Sequence, residues 1–237
     1  MAFTKEPLKI GVLLSGSGTN LQAIIDSINA GQTNARIQIV ISSRPNAYGL
    51  TRAKEAGLPT LALNKQMYAD DPIETDRLIT RELLAHDVEY VIMAGYMRFV
   101  HNPILQAFPN RVVNLHPALL PSFPGAHAIE EAYDAGVKVT GVTVHFANEV
   151  YDDGSIIAQR PVIVDECWSL EDLEESIHHV EHQLYPEVIQ MIAEGRVRVC
   201  DNGKTQVDEK NTSPVTFGQH MPRFVRHGAR RAGNVAW

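Results

Sequence analysis

The feature that most constrains this chain is one junction near its start. Leu8 to Leu14 is an unbroken apolar run with Gly11 inside it. Ser15-Gly16-Ser17-Gly18-Thr19-Asn20 follows, and then Leu21, Ile24, Ile25 and Ile28 recur at helical spacing. A strand that is apolar throughout must be covered on both faces, as central parallel strands are. The pattern continues down the chain. Ile37 to Ile41 reads as a second strand, Tyr48 to Ala56 as a helix closed by Gly57, and Leu61 to Leu63 as a third strand. Ile73 to Ala85 reads as a helix with Pro72 in its first turn, and Tyr90 to Ala94 as a fourth strand. This alternation predicts an α/β fold built on a doubly wound, mostly parallel sheet.

The second half changes pattern. Val112 to Asn114 reads as a strand and Ala126 to Ala135 as a helix closed by Gly136. Val142, Val144 and Phe146 alternate with Thr143 and His145, which predicts a strand with two distinct faces. Ile156 to Val164 reads as another strand, broken by Pro161. Tyr151-Asp152-Asp153-Gly154 between them is a turn signal, so the two strands are expected to form a C-terminal hairpin. Leu170 to Ala193 reads as a long amphipathic helix, with Ser169 as cap, Asp172 at the capping-box position and Gly195 at its end. From about Asp201 the hydrophobic pattern fades, and Arg223, Arg226, Arg230 and Arg231 cluster without acidic neighbours. Residues 201–237 read as a flexible tail, with an anion-binding or partner-binding arm as the alternative.

The formal net charge of −7 argues against general nucleic-acid binding, although a local basic pocket can still hold an anion. Cys167 and Cys200 stand in no metal or redox spacing, which fits a reducing compartment. The first apolar run is too short for a signal-peptide core, and nothing approaches the ~20 apolar residues of a membrane span. A soluble cytoplasmic protein without membrane contact is expected.

Three stretches carry chemistry. At the glycine-rich turn, Gly16 and Gly18 let the backbone approach a ligand, and the helix that follows attracts an anion to its N-terminus. Leu21 occupies the place of the third small residue of a dinucleotide fingerprint, and the second strand ends in serines and Arg44 rather than an acid. A phosphate site for a smaller ligand is preferred over a purely structural turn. In the second stretch, Asn114 and His116 lie two apart at a strand end, so both side chains leave one face. Pro117 stops the strand, and Pro121, Pro124 and Gly125 stiffen the loop beyond. An amide donor beside an imidazole suits an oxyanion and a proton transfer, though alone the pair reads as a satisfied polar strand end. One of the turn acids, Asp152 or Asp153, would raise the histidine pKa and fix its tautomer if the hairpin packed beside it. In the third stretch, His178-His179-Val180-Glu181-His182 matches an inverted zinc-protease signature. No third ligand is evident, so a helix face turning Glu181 and one histidine to a polar ligand is preferred, and no metal is expected.

Together these segments resemble the folate-dependent glycinamide ribonucleotide formyltransferases of purine synthesis. The resemblance runs from about Leu8 to Val199. It rests on Ser15 to Gln22, Asn114 to Gly125, and Val144-His145-Phe146 followed by Asp152-Asp153-Gly154. Gly95 to Arg98 and Glu181 to Pro186 add to it. The resemblance implies a Rossmann-like sheet in one domain over residues 1–200, with a nucleotide-binding half to about 100 and a folate-binding, catalytic half after it. It implies Asn114, His116 and Asp152 as the catalytic set. Gly18, Thr19 and Asn20 would cradle the substrate phosphate, and Glu181 would contact the ribose. Met97, Arg98, Phe99 and Val100 would line the folate pocket. The implied partners are glycinamide ribonucleotide and 10-formyltetrahydrofolate, the latter as co-substrate, in a monomer or homodimer. The hairpin loop departs from the family pattern, reading Asp152-Asp153-Gly154 where Asp-Gly-Gly is expected.

Three rivals share parts of this set. A formyltetrahydrofolate hydrolase would use water as acceptor, and usually carries an N-terminal regulatory domain before its first strand. A methionyl-tRNA formyltransferase would need a further C-terminal domain and a more basic surface. A non-catalytic folate or nucleotide sensor would keep the pocket without turnover.

Overall fold

The computed structural model describes residue 3 and residues 5–209 of the chain. Strand β1 (Leu8–Leu14) is buried from Ile10 onward because helices cover both of its faces. It lies between β2 (Ala35–Ser42) and β4 (Tyr90–Met93), parallel to both. Beyond β2 runs β3 (Thr60–Ala62), and beyond β4 runs β5 (Val112–His116), again parallel. Then β6 (Val139–Phe146) and β7 (Ile156–Ile163) are added antiparallel. The sheet order is β3-β2-β1-β4-β5-β6-β7. This is the doubly wound, Rossmann-like arrangement expected, with the antiparallel hairpin at one edge.

The alternation along β1 sorts the two cores. Ile10, Val12 and Leu14 join a cluster with α1 (Thr19–Asn29) and α7 (Leu170–Ala193). Leu13 joins another with α3 (Lys65–Asp70), α4 (Pro72–Ala85) and α5 (Asn102–Ala107). Ala53 of α2 (Tyr48–Glu55) and Ile129 of α6 (Ala128–Asp134) belong with the first. Gly11 gives room to α4: a Cβ there would lie 2.4 Å from Leu83 Cδ2, so that side chain would have to shift. Helix α7 starts on a full capping box between Ser169 and Asp172.

Several details depart from the sequence reading. Helices α3 and α5 have six residues each, too few to show a helical period. Pro161 does not break its strand. It lies inside β7 at the edge of the sheet, opposite Gly141, where a missing ladder donor is tolerated. The two faces expected of β6 are both buried, Thr143 and His145 included. The loop after β5 covers Thr143, whose Oγ1 donates to the Ala118 carbonyl at 2.6 Å. The pattern that fades near Asp201 resumes, since β8 (Val197–Val199) and β9 (Thr205–Val207) form a second hairpin. Thr205 and Ser155 hydroxyls, 2.6 Å apart, join that hairpin to the start of β7. The four tail arginines lie outside the described residues. Among the described residues, no helix is long and apolar enough to cross a membrane.

Candidate active site

β1 has β2 on one side and β4 on the other, so the strand order reverses there. Crevices open at such a point, outside the carboxyl ends of the strands. The glycine-rich turn sits at the end of β1. Gly18 caps α1 at φ +73°, and a Cβ on it would lie 2.5 Å from the Gly49 Cα, so both conformation and space demand glycine. No side chain caps α1 and no acid stands in its first turn. Its first N–H groups therefore remain open to an anion. Arg52 Nε donates to the Ser17 carbonyl at 3.0 Å and steadies the turn. Ser15 Oγ accepts from the Met97 N–H at 2.8 Å and joins the turn to the loop after β4.

A cleft of about 520 Å3 opens here, a common size for a small-molecule site. Gly16 to Asn20, Arg44, Met97, His178 and Glu181 line it. Asn20 Nδ2 donates to Glu181 Oε2 at 2.9 Å, and both side chains are buried. Burial raises the Glu181 carboxyl above its usual range, against the Asn20 hydrogen bond and the His178 charge. Among the described residues, Asn20 Oδ1 is buried without a hydrogen-bond partner. Glu181 and His178 both face this cleft, as expected of one helix face. The His178 and His182 rings stack 6.4 Å apart, and among the described residues no metal-binding group of three is found.

Asn114 and His116 leave β5 on one face and meet Asp152 from the hairpin loop. Asp152 Oδ2 lies 3.4 Å from His116 Nδ1, and Oδ1 lies 3.5 Å from Asn114 Nδ2. The Gly125 N–H donates to Oδ2 at 3.0 Å, so the Pro-rich loop helps hold the acid. Asp152 takes φ +52°, unusual for a residue with a side chain. Asp153 is not part of the cluster: its backbone N–H reaches the Val150 carbonyl at 3.4 Å, and the side chain stays exposed. His116 Nε2 lies 2.7 Å from the Phe123 carbonyl, which only accepts, so Nε2 carries a hydrogen. A second proton then belongs on Nδ1, facing Asp152.

The electrostatics correct one expectation. Asp152 does push the His116 pKa up, but burial pushes it down further, and the net value falls below 6.5. Burial alone would also raise Asp152; His145, the Gly125 N–H and His116 outweigh it and hold the carboxyl below its usual range. His145 was not singled out from sequence. The β5–β6 register sets it opposite Asn114, and its Nε2 lies 3.3 Å from Asn114 Nδ2. Its Nδ1 donates to the Phe146 carbonyl at 2.9 Å, which fixes the tautomer. The inward alternation of β6 was the available signal.

Arg98, Phe99 and Val100 line a second, narrower cleft with Asn114 and Asp152, on the other face of β5. Met97 parts from them: it is exposed and turns to the larger cleft. The loop after β4 thus walls both clefts, and β5 separates them.

The formyl transferase family model matches residues 8–189. Phosphoribosylglycinamide formyltransferase of Bacillus subtilis is 38% identical over 184 residues, 78% of this chain and 94% of that protein. The human trifunctional purine biosynthetic protein adenosine-3 is 40% identical over 203 residues, 86% of this chain. The chain spans about a fifth of that trifunctional relative. The crystal structure of glycinamide ribonucleotide transformylase 1 from Symbiobacterium toebii superposes with a TM-score of 0.83 at 44% identity, covering 88% of this chain and 98% of that one. With the matched family model covering most of its length, this chain belongs to the formyl transferase family.

Proposed function

We propose that this protein transfers a formyl group from 10-formyltetrahydrofolate to the amine of glycinamide ribonucleotide in de novo purine synthesis. The observation that carries the reading is the buried meeting of Asn114, His116 and Asp152 on one face of β5, with an uncapped helix N-terminus in the cleft on its other face. The names of the relatives with similar sequence and length agree with it. In this reading the ribonucleotide phosphate rests on Gly18, Thr19 and Asn20, and its ribose meets Glu181. The folate lies against Arg98, Phe99 and Val100, with Met97 at the join of the two clefts.

Chemistry then follows from the charges that develop. The attacking amine is neutral. As it adds to the formyl carbon, the formyl oxygen becomes anionic. Asn114 supplies N–H donors from a fixed strand end, and its contacts to His145 and Asp152, at 3.3 and 3.5 Å, are long enough for a substrate oxygen to displace. His116 adds positive charge when it takes up a second proton at Nδ1, where Asp152 stabilises the imidazolium against the burial that otherwise keeps the ring neutral. Asp152 accepts the proton that the amine loses, directly or through water. Passed on to N10, that proton lets tetrahydrofolate leave as the carbon–nitrogen bond breaks. The amine attacks directly, so no side chain is acylated, and alignment of two large substrates supplies much of the rate.

The test mixes the protein with 10-formyltetrahydrofolate, with and without glycinamide ribonucleotide, and follows folate absorbance. Turnover that requires the ribonucleotide is expected. Deformylation without it would establish the hydrolase instead, and bound folate with no turnover would establish the sensor. His116→Ala and Asp152→Asn are each expected to lower kcat by about 10²-fold or more with the circular dichroism spectrum unchanged. Near-normal rates in either would remove the assignment.

A further inference from the structure

The narrow cleft is bounded by two segments that belong to different parts of the sheet. One is the loop after β4, carrying Phe99; the other is the loop between β6 and β7, carrying Tyr151. The two rings meet, with centroids 6.4 Å apart and planes 19° from parallel. Both side chains remain substantially exposed, at 39% and 51%, so this is a stack at the surface rather than core packing. The Phe99 side is rooted in the core. The His101 ring packs edge-on against Phe99 at 5.0 Å. His101 in turn gives its backbone N–H to Asp76 Oδ2 at 2.7 Å, with its Nδ1 2.9 Å from the same oxygen. Asp76 is a fully buried carboxylate of α4. The Tyr151 side is different. It adjoins Asp152, whose left-handed backbone must be held by its surroundings.

We propose that Phe99 and Tyr151 form a positioning clasp, which holds the Asp152 loop against the wall after β4 and sets the width of the folate-side cleft. The proposal rests on the formyl-transfer reading. Its consequence is that Asp152 keeps its distance from His116 and Asn114 because Tyr151 is tethered from across the cleft.

Neither residue touches the reacting atoms, so the readout must separate tethering from folding. The experiment compares wild type, Phe99→Leu, Tyr151→Leu, the double variant and Tyr151→Phe, with kcat and KM measured for both substrates. Each leucine variant is expected to lower kcat/KM for formyl folate roughly three- to tenfold, the range of one aromatic pair. The KM for glycinamide ribonucleotide, which lies across β5, should stay within about twofold. The double variant should be no worse than the poorer single one, because either change opens the same clasp. Tyr151→Phe keeps the ring and should recover most of the loss. Additive losses, or a Tyr151→Phe as impaired as Tyr151→Leu, would overturn the clasp. The same cycle on the formyl folate dissociation constant needs no turnover. An inactive wild type would therefore count against the formyl-transfer reading, while additive binding losses would count against the clasp alone.

Discussion

Asp152 and His116 show how burial and charge oppose each other in one contact. The imidazole is only 4% exposed and lies 3.4 Å from a carboxylate held ionised. Burial is the larger influence and lowers its pKa; Asp152 is the next and raises it. Two outcomes follow. In the native protein His116 should titrate below 6.5, and Asp152→Asn should lower it further by removing the largest opposing charge. The sign for stability is set by the same shift. A histidine whose folded pKa lies below its unfolded one stabilises the fold above the unfolded value, near 6.5. That contribution is lost as pH falls through the folded value. Imidazole resonances followed by NMR across pH 4 to 8 check both directions, and an upward move in Asp152→Asn would contradict the account. The residues that meet here were readable from sequence because Asn114 and His116 share a strand face. The sign of the shift was not, because it depends on how completely the Pro-rich loop seals the ring.

Gly18 and Gly31 separate two reasons for a glycine between or after elements. Both have left-handed backbone, with φ of +73° and +68°. At Gly31 nothing lies within 4 Å of an added Cβ, whereas at Gly18 the Gly49 Cα would be 2.5 Å away. Gly31→Ala should therefore cost only the conformational term, about 1 kcal/mol. Gly18→Ala adds a clash with backbone that cannot rotate away, and should cost about 2–3 kcal/mol while weakening ribonucleotide binding. Urea denaturation of the two variants gives the difference directly; equal losses would mean that the α1–α2 contact yields easily. Elements were legible in proportion to their length and periodicity. The sequence reading places α7 at Leu170 to Ala193, as observed, because 24 residues show the period and a capping box marks the start. The three-residue strands β8 and β9 carry no such signal, and pairing with each other is what makes them strands. Pro161 misled because a proline's effect on a strand depends on whether that strand lies at an edge, which is a property of the sheet.

At the scale of the molecule, the candidate site depends on holding β4 and β5 together at the ends that lead into the walls of the two clefts. The loop after β4 and the strand end carrying Asn114 both begin there, so a small splay would move Arg98 to Val100 away from Asn114. Tyr185 of α7 lies beneath that point and is fully buried. Its hydroxyl is 3.0 Å from the Met93 carbonyl of β4 and 2.9 Å from the Val113 carbonyl of β5. One hydroxyl hydrogen shared by two carbonyls ties a helix to both strands across the core. Burial raises the phenol well above its usual pKa, so it remains a donor throughout the working range. Tyr185→Phe fills the same space and leaves the two carbonyls without that donor. The expected cost is about 1–2 kcal/mol, or roughly 3–6 °C in Tm for a chain of this size. Because the missing tie lies under the wall shared by both clefts, KM should rise for both substrates. That response differs from the one-sided response expected of the Phe99–Tyr151 clasp. Thermal unfolding followed by circular dichroism, with steady-state kinetics on the same sample, decides it. An unchanged Tm would mean that packing of α7 alone holds β4 and β5 in place.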